Sequence, residues 1–306
     1  MRSLYHLCVA SHDEVLFRDE SDFKMFTNLM ALAAVNTNEE LLADALMSTH
    51  FHLVVMSHDP SDFIRYLRHS YTNYFNNKYH RAGRLGPKGF HMTEVSGVRH
   101  RMATVCYVLR NGLHHAQSAT PFGYRHCTVN SLFDKEMGRS PYDHLITSQR
   151  EIVSLLPRHA KIHEKLKFDE SGVVLRESFM ELAQVENMFV TPRNFLYHMN
   201  RISDEVWQKE QLEDGGNEAP VTLDTIERGF GRQSIRAMLE CEKGFRYDSN
   251  KMNDISVCNI IDNQLIGKYK AASVYCLSDV QKHKISGTLE KEFSVPQFQI
   301  DRCLGK

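Results

Sequence analysis

The 306-residue chain has no CxxC pair, no apolar run long enough to cross a bilayer, no excess of either charge, no internal repeat and no low-complexity tract. Its seven cysteines, at positions 8, 106, 127, 241, 258, 276 and 303, are scattered and odd in number. That argues against a zinc knuckle or a disulfide framework and fits a reducing cytoplasm. Lys and Arg number 37 against 38 Asp and Glu. Such a balance does not announce a nucleic-acid binder, although a basic stripe on one face steers a polyanion whatever the total. The opening "MRSLYHLCVASHDE" is charged too soon for a signal peptide, so neither secretion nor membrane insertion is expected. What is present is an ordinary soluble globular composition, 42% hydrophobic and 25% charged. The length suffices for one large domain or two to three smaller ones.

The first 130 residues alternate strand and helix signals. "LYHLCVA" (4–10) reads as a strand, and "SDFKMFTNLMALAA" (21–34) as a helix with Ser21 as its N-cap. "LLADALM" and "HFHLVVM" are apolar runs joined by Ser48 and Thr49, the pattern of a β-hairpin. "DPSDFIRYLRHSYTNYFNNKYH" (59–80) carries Phe63, Tyr66, Leu67, Tyr71 and Tyr74 at helical spacing, with Pro60 tolerated in the first turn. A basic glycine-rich stretch, "RAGRLGPKG", follows. "FHMTEV" (90–95) fits an edge strand, and "VRHRMATVCYVLRN" (98–111) a helix stopped by Gly112. The order predicts an α+β fold, an antiparallel sheet with helices on one face, over residues 1–135. A helical middle region is expected over 136–245, with "EDGGNEAP" (213–220) as its linker. Residues 246–306 read as a C-terminal helical region. Within it, 277–306 forms a Ser-capped helix, a break at "SVP" and a second short helix. That pattern fits a DNA-contacting helix-turn-helix and a simple packing pair equally well.

Two histidines stand out in "MSTHFHLVVMS". Alternate residues of a strand share a face, so His50 and His52 project together. Two neutral imidazoles so placed can hold one divalent ion; the alternative is a pair of core histidines hydrogen-bonded to neighbours. The helix 98–111 offers company for them. Met102, Val105, Leu109 and Leu113 make one apolar stripe, while His100, Thr104, Tyr107 and Asn111 fall opposite, with Asn111 one turn after Tyr107.

"MSTHFHLVV", followed by "RYLRHSYTNYFNNKYHRAGRLGPKGF" and "YVLRNGLHHA", resembles the single-tyrosine HUH transposases, and most closely their REP-associated branch, over residues 3–130. The family pattern of His, hydrophobic residue, His falls on His50, Phe51 and His52, its nucleophilic tyrosine on Tyr107, and the Asn one turn later on Asn111. Gly112 departs from the pattern, since relatives often have Pro there. The resemblance implies a ferredoxin-like palm, Mg²⁺ or Mn²⁺ held by His50, His52 and Asn111, and attack by Tyr107 on DNA. The product would be a 5′-phosphotyrosine link and a free 3′-hydroxyl, from which strands rejoin without ATP.

The groups suit such chemistry. Transesterification of a phosphodiester needs a nucleophile and a Lewis acid, because a phenol of ordinary pKa near ~10 attacks poorly at neutral pH. Mixed nitrogen and oxygen ligands suit Mn²⁺ or hydrated Mg²⁺. The chain lacks a GxxxxGK[ST] phosphate loop, as expected of an enzyme that stores bond energy covalently. Lys78, Arg81, Arg84 and Lys88, with Arg99 and Arg101 flanking the tyrosine helix, could track the backbone of single-stranded or hairpin DNA. Tyr71, Tyr74 and Phe75 are either stacking surfaces for bases or core residues of their helix. His58, His114 and His115 stay outside the proposed ligand set. Three alternatives remain open: a relative that binds hairpin DNA without turnover, a helix-turn-helix regulator, and a replication-initiator nickase, which often uses two tyrosines. The sequence does not decide between monomer and homodimer.

Overall fold

The structure, a computed structural model, describes residues 2–11, 13–140, 144–158, 160–199 and 252–305. The linker expected at 213–220, the boundary at 245–246, Cys241 and the side chain of Arg99 lie outside that description. Four antiparallel strands form one sheet: β1 (Ser3–Ala10), β2 (Glu40–Met47), β3 (His50–Ser57) and β4 (His91–Val95), in the order β2-β3-β1-β4. Ser48 and Thr49 make the two-residue turn of the β2–β3 hairpin, where Met47 pairs with His50, and β4 is an edge strand as its short alternating run suggests.

Helices α1 (Glu20–Thr37) and α2 (Ser61–Tyr79) pack together on one face. There Phe51 of β3 meets Phe26 of α1 with ring centroids 4.7 Å apart, and Tyr71 of α2 donates its hydroxyl to the Leu16 carbonyl at 2.7 Å. The N-cap of α1 is Asp19, whose carboxylate accepts from the Asp22 amide at 3.0 Å. Ser21, the expected cap, lies inside the first turn because the helix starts two residues earlier than its apolar periodicity indicates. Phe75 and Tyr71 are core residues, whereas Tyr66 is 41% exposed despite its place in the helical series.

A helix also covers the second face. Helix α3 (Val98–Leu109) contacts β2, β3 and β4, and β1, β2 and β3 are therefore buried along nearly their whole length. An antiparallel sheet with one wet face would show alternation instead. The short α4 (Asn111–His114) continues the chain past Arg110. Gly112 thus sits within α4 and does not stop a helix. Its role is steric, since a Cβ there would stand 2.5 Å from the Cβ of Tyr124.

The outer edge of β2 is closed by irregular chain that follows α4 and by a segment of the middle region. Leu46 donates its amide to the His126 carbonyl and Glu181 donates to the Leu41 carbonyl, which removes an edge that could pair with another chain. Buried Arg176 clamps Asp44 of β2 with two bonds of 2.7 and 2.8 Å. Helices α5 (Gln149–Ser154), α6 (Leu182–Phe189) and α7 (Pro192–Met199) belong to this region.

Helices α8 (Asp254–Ile260), α9 (Asp279–Phe293) and α10 (Gln297–Leu304) surround an apolar cluster of their own that includes Val257, Ile261, Ile285, Leu289 and Ile300. Helix α9 opens on a capping box between Ser278 and Gln281, and the chain breaks at Ser294 before Pro296, as "SVP" suggests. Val15, between β1 and α1, is part of the same cluster, and the fully buried Arg18 side chain donates to both carboxylate oxygens of Asp262 at 2.9 Å and to the Cys303 carbonyl at 2.7 Å. These contacts dock the C-terminal helices on the sheet domain. Among the described residues no helix is long and apolar enough to cross a membrane.

Candidate active site

The face of the sheet beneath α3 gathers histidines. In the β1–β3 register His52 stands opposite Cys8 and His50 opposite Ala10; residues paired in this way share a face. The rings of His50 and His52 lie 5.2 Å apart, nearly perpendicular. Tyr107 of α3 meets His52 edge-on at 5.2 Å. The polar side of α3 therefore looks into the sheet and not into solvent, and Tyr107 is only 5% exposed.

Asn111 arrives from the start of α4. Its Nδ2 donates to the carbonyls of Tyr107 at 3.0 Å and Val108 at 3.4 Å, which fixes which end of the amide faces outward. Oδ1 then stands 3.4 Å from His50 Nε2. An oxygen that can only accept faces an imidazole nitrogen, so either that nitrogen carries a proton or the two lone pairs are placed to share a cation. His50 Nδ1 lies 3.2 Å from the Thr49 hydroxyl, whose oxygen can accept a hydrogen bond from Nδ1–H and so favour the tautomer with a lone pair on Nε2. The donor set of two imidazoles and a carboxamide oxygen suits a hard or borderline divalent ion. Among the described residues no group of three or more His, Cys, Asp or Glu is arranged to hold a metal ion, so any such site depends on the amide.

Burial pushes the His52 pKa well below the usual histidine value, and the neighbouring His50, His6 and His115 push it the same way. His52 is thus held neutral, the form that can ligate. His115, set aside in the sequence, lies with its ring 4.7 Å from that of His50, and burial lowers its pKa to about 4. His6 of β1 is a further member that the sequence reading missed: its Nε2 lies 3.0 Å from His52 Nδ1. The alternation along "LYHLCV" puts His6 on one face of β1, but only the strand pairing reveals that it is the face of His52.

The predicted DNA-contacting residues separate into two groups. Lys78 lies in the last turn of α2, its ammonium between Asp19 at 2.8 Å and Asp22 at 2.7 Å. Burial works against that ammonium, but the two carboxylates outweigh it and hold its pKa above the usual lysine range. Arg81 pairs with Glu14 at 2.9 Å. These two cations are spent on the fold. Arg84, Lys88 and Arg101 are exposed. Arg68 of α2, which the sequence reading passed over, donates to the carbonyls of Pro87 and Gly89 and so holds the glycine-rich loop that carries Arg84 and Lys88.

No protein-family model matches the chain, and no curated protein matches it. Among solved structures, a REP-associated tyrosine transposase bound to a REP hairpin shows a distant likeness: TM-score 0.37 and 13% sequence identity, over 53% of this chain and 92% of that one.

Proposed function

We propose that the chain is a metal-dependent enzyme that cleaves and rejoins single-stranded DNA, with Tyr107 as its nucleophile. The observation that carries this reading is the meeting of Tyr107 with His50, His52 and Asn111 on one face of the sheet. Those are the groups that the sequence resemblance assigns to catalysis. His50, His52 and Asn111 would hold Mg²⁺ or Mn²⁺, which when bound neutralises charge on the scissile phosphate.

Tyr107 supplies the covalent chemistry. Its phenolic oxygen forms a bond to phosphorus while the bond to the 3′-oxygen breaks, and the phenol's proton ends on the released 3′-hydroxyl. Attack by a 3′-hydroxyl on the phosphotyrosine reverses the sequence and joins strands. Asn111 and Tyr107 are tied through the amide bond to the Tyr107 carbonyl, so the nucleophile and one ligand move as a unit. His52 and Asn111 are each 1% exposed, whereas His50 is the half-buried member. A DNA strand therefore approaches past His50, and reaches Tyr107 when the surrounding side chains give way. The exposed Arg84, Lys88 and Arg101 would track the phosphate backbone.

The test is a denaturing gel of the full chain incubated with labelled single-stranded and hairpin oligonucleotides in Mn²⁺, Mg²⁺ or EDTA. A protein–DNA adduct that needs metal and disappears in Tyr107→Phe and in His52→Ala is expected. Hairpin binding with no adduct under any metal would replace this reading with a non-catalytic binder.

A further inference from the structure

Beside the proposed ligands lies a third imidazole that this chemistry has not used. His6 stands opposite Val54 in the β1–β3 register, and Cys8 opposite His52, so His6 is the diagonal neighbour of His52 on the same face. The two rings are nearly parallel, 16° between planes and 5.2 Å between centroids. His6 Nε2 and His52 Nδ1 are 3.0 Å apart. His6 is 3% exposed, and its ring also meets Tyr107 edge-on at 5.8 Å.

A hydrogen bond between two imidazole nitrogens needs one proton, and which ring supplies it decides what His52 can do. If His6 donates, His52 Nδ1 is the acceptor and Nε2 of a neutral His52 carries the proton, so it cannot ligate. If His52 donates, its Nε2 has the lone pair. Histidine ligands are commonly oriented through the nitrogen that does not touch the metal, usually by a carboxylate or a carbonyl. No such oxygen is needed where a neutral imidazole on the adjacent strand presents its own lone pair.

We propose that His6 is a positioning residue for His52: it accepts a hydrogen bond from His52 Nδ1–H, fixes the ring plane and tautomer, and so prepares Nε2 to bind a divalent cation. This rests on the assignment of His52 as a metal ligand. His6 acts through His52 and is not itself a ligand. With the nitrogens 3.0 Å apart and the centroids 5.2 Å apart, the two rings meet edge to edge in nearly one plane, which aligns a lone pair on His6 Nε2 with an Nδ1–H of His52. Glutamine places an amide oxygen close to that point and phenylalanine fills the volume with no acceptor.

The experiment measures Mn²⁺ binding to the full chain without DNA by calorimetry, for wild type, His6→Gln, His6→Phe and His52→Ala, alongside ¹⁵N NMR of the histidine rings. Loss of a ring-orienting partner weakens metal binding about 10–100-fold, so His6→Phe falls by that factor while His6→Gln stays within about threefold of wild type. The wild-type spectrum shows His52 protonated at Nδ1. Equal Mn²⁺ affinity in wild type and His6→Phe, with binding abolished in His52→Ala, would overturn the role of His6 alone. A wild-type chain that binds no Mn²⁺ would overturn this role and the metal site together. Should His6→Phe not fold, the wild-type tautomer decides: a His52 ring protonated at Nε2 refutes the proposal.

Discussion

Arg18 should be the most sensitive point of the contact between the C-terminal helices and the sheet domain, and its two partners should respond unequally. The guanidinium is completely buried and makes a two-pronged pair with Asp262, whose side chain keeps 23% exposure. Its third direction is filled by the Cys303 carbonyl at 2.7 Å, and the rings of Tyr79 and Tyr275 lie 5.7 Å from its centre. Asp262→Asn leaves a buried cation without its counter-charge, a change that costs about 3–5 kcal/mol. Arg18→Met instead removes the charge and keeps most of the apolar stem. Asp262 then recovers water through its exposed edge, and the chief loss is an unpaired Cys303 carbonyl at about 1–3 kcal/mol. The carboxylate variant should therefore be the less stable by about 2 kcal/mol, the difference between the midpoints of those two costs. Urea unfolding followed by circular dichroism, with the rate of proteolysis within residues 252–305 as a local probe, measures both. Equal stability of the two variants, or a less stable Arg18→Met, would refute the claim that the buried charge controls this contact.

Three further outcomes follow from the same geometry. Burial holds His52, His114 and His115 below the usual histidine range, His115 at about 4. The unfolded chain then binds protons below about pH 6.5 that the folded chain does not, so metal-free stability should fall on acidification from pH 7 to 5, by up to about 4 kcal/mol per pH unit for three such groups; a flat profile in urea melts would contradict it. Gly112→Ala places a Cβ 2.5 Å from the Tyr124 Cβ, and such overpacking should lower stability by about 1–3 kcal/mol in thermal melts, while an unchanged melting temperature would show that Tyr124 yields freely. Arg84→Ala, Lys88→Ala and Arg101→Ala should each reduce the salt slope of single-strand binding by about 0.7, whereas Lys78→Ala and Arg81→Ala should lower stability and leave that slope unchanged, because carboxylates already neutralise those two cations.

Most of what is local in the fold was legible in the sequence. The two-residue hairpin, the edge strand at 91–95, the long helix before the basic loop and the capped pair of C-terminal helices all follow from periodicity and caps. Long-range pairing was not legible. The helical periodicity over 98–111 shows that Tyr107 and Asn111 share a side, yet an amphipathic pattern normally marks that side as solvent-facing. It is buried here because the sheet beneath presents imidazoles and not hydrocarbon. The same limit hid His6, whose partner is 46 residues away, and overstated Lys78, whose carboxylate partners Asp19 and Asp22 come from another element. A charged residue in a basic run looks available until its counter-ion is placed.

The most direct test of the central claim is to digest the metal-dependent DNA adduct with trypsin and nuclease and locate the linked nucleotide by mass spectrometry. Trypsin cuts after Arg101 and Arg110, so the peptide Met102–Arg110 carries Tyr107 as its only tyrosine. A phosphonucleotide on Tyr107 within that peptide, absent when EDTA is present, is the predicted result. Attachment at another residue, or no covalent link in Mn²⁺ or Mg²⁺ with hairpin DNA bound, would contradict it.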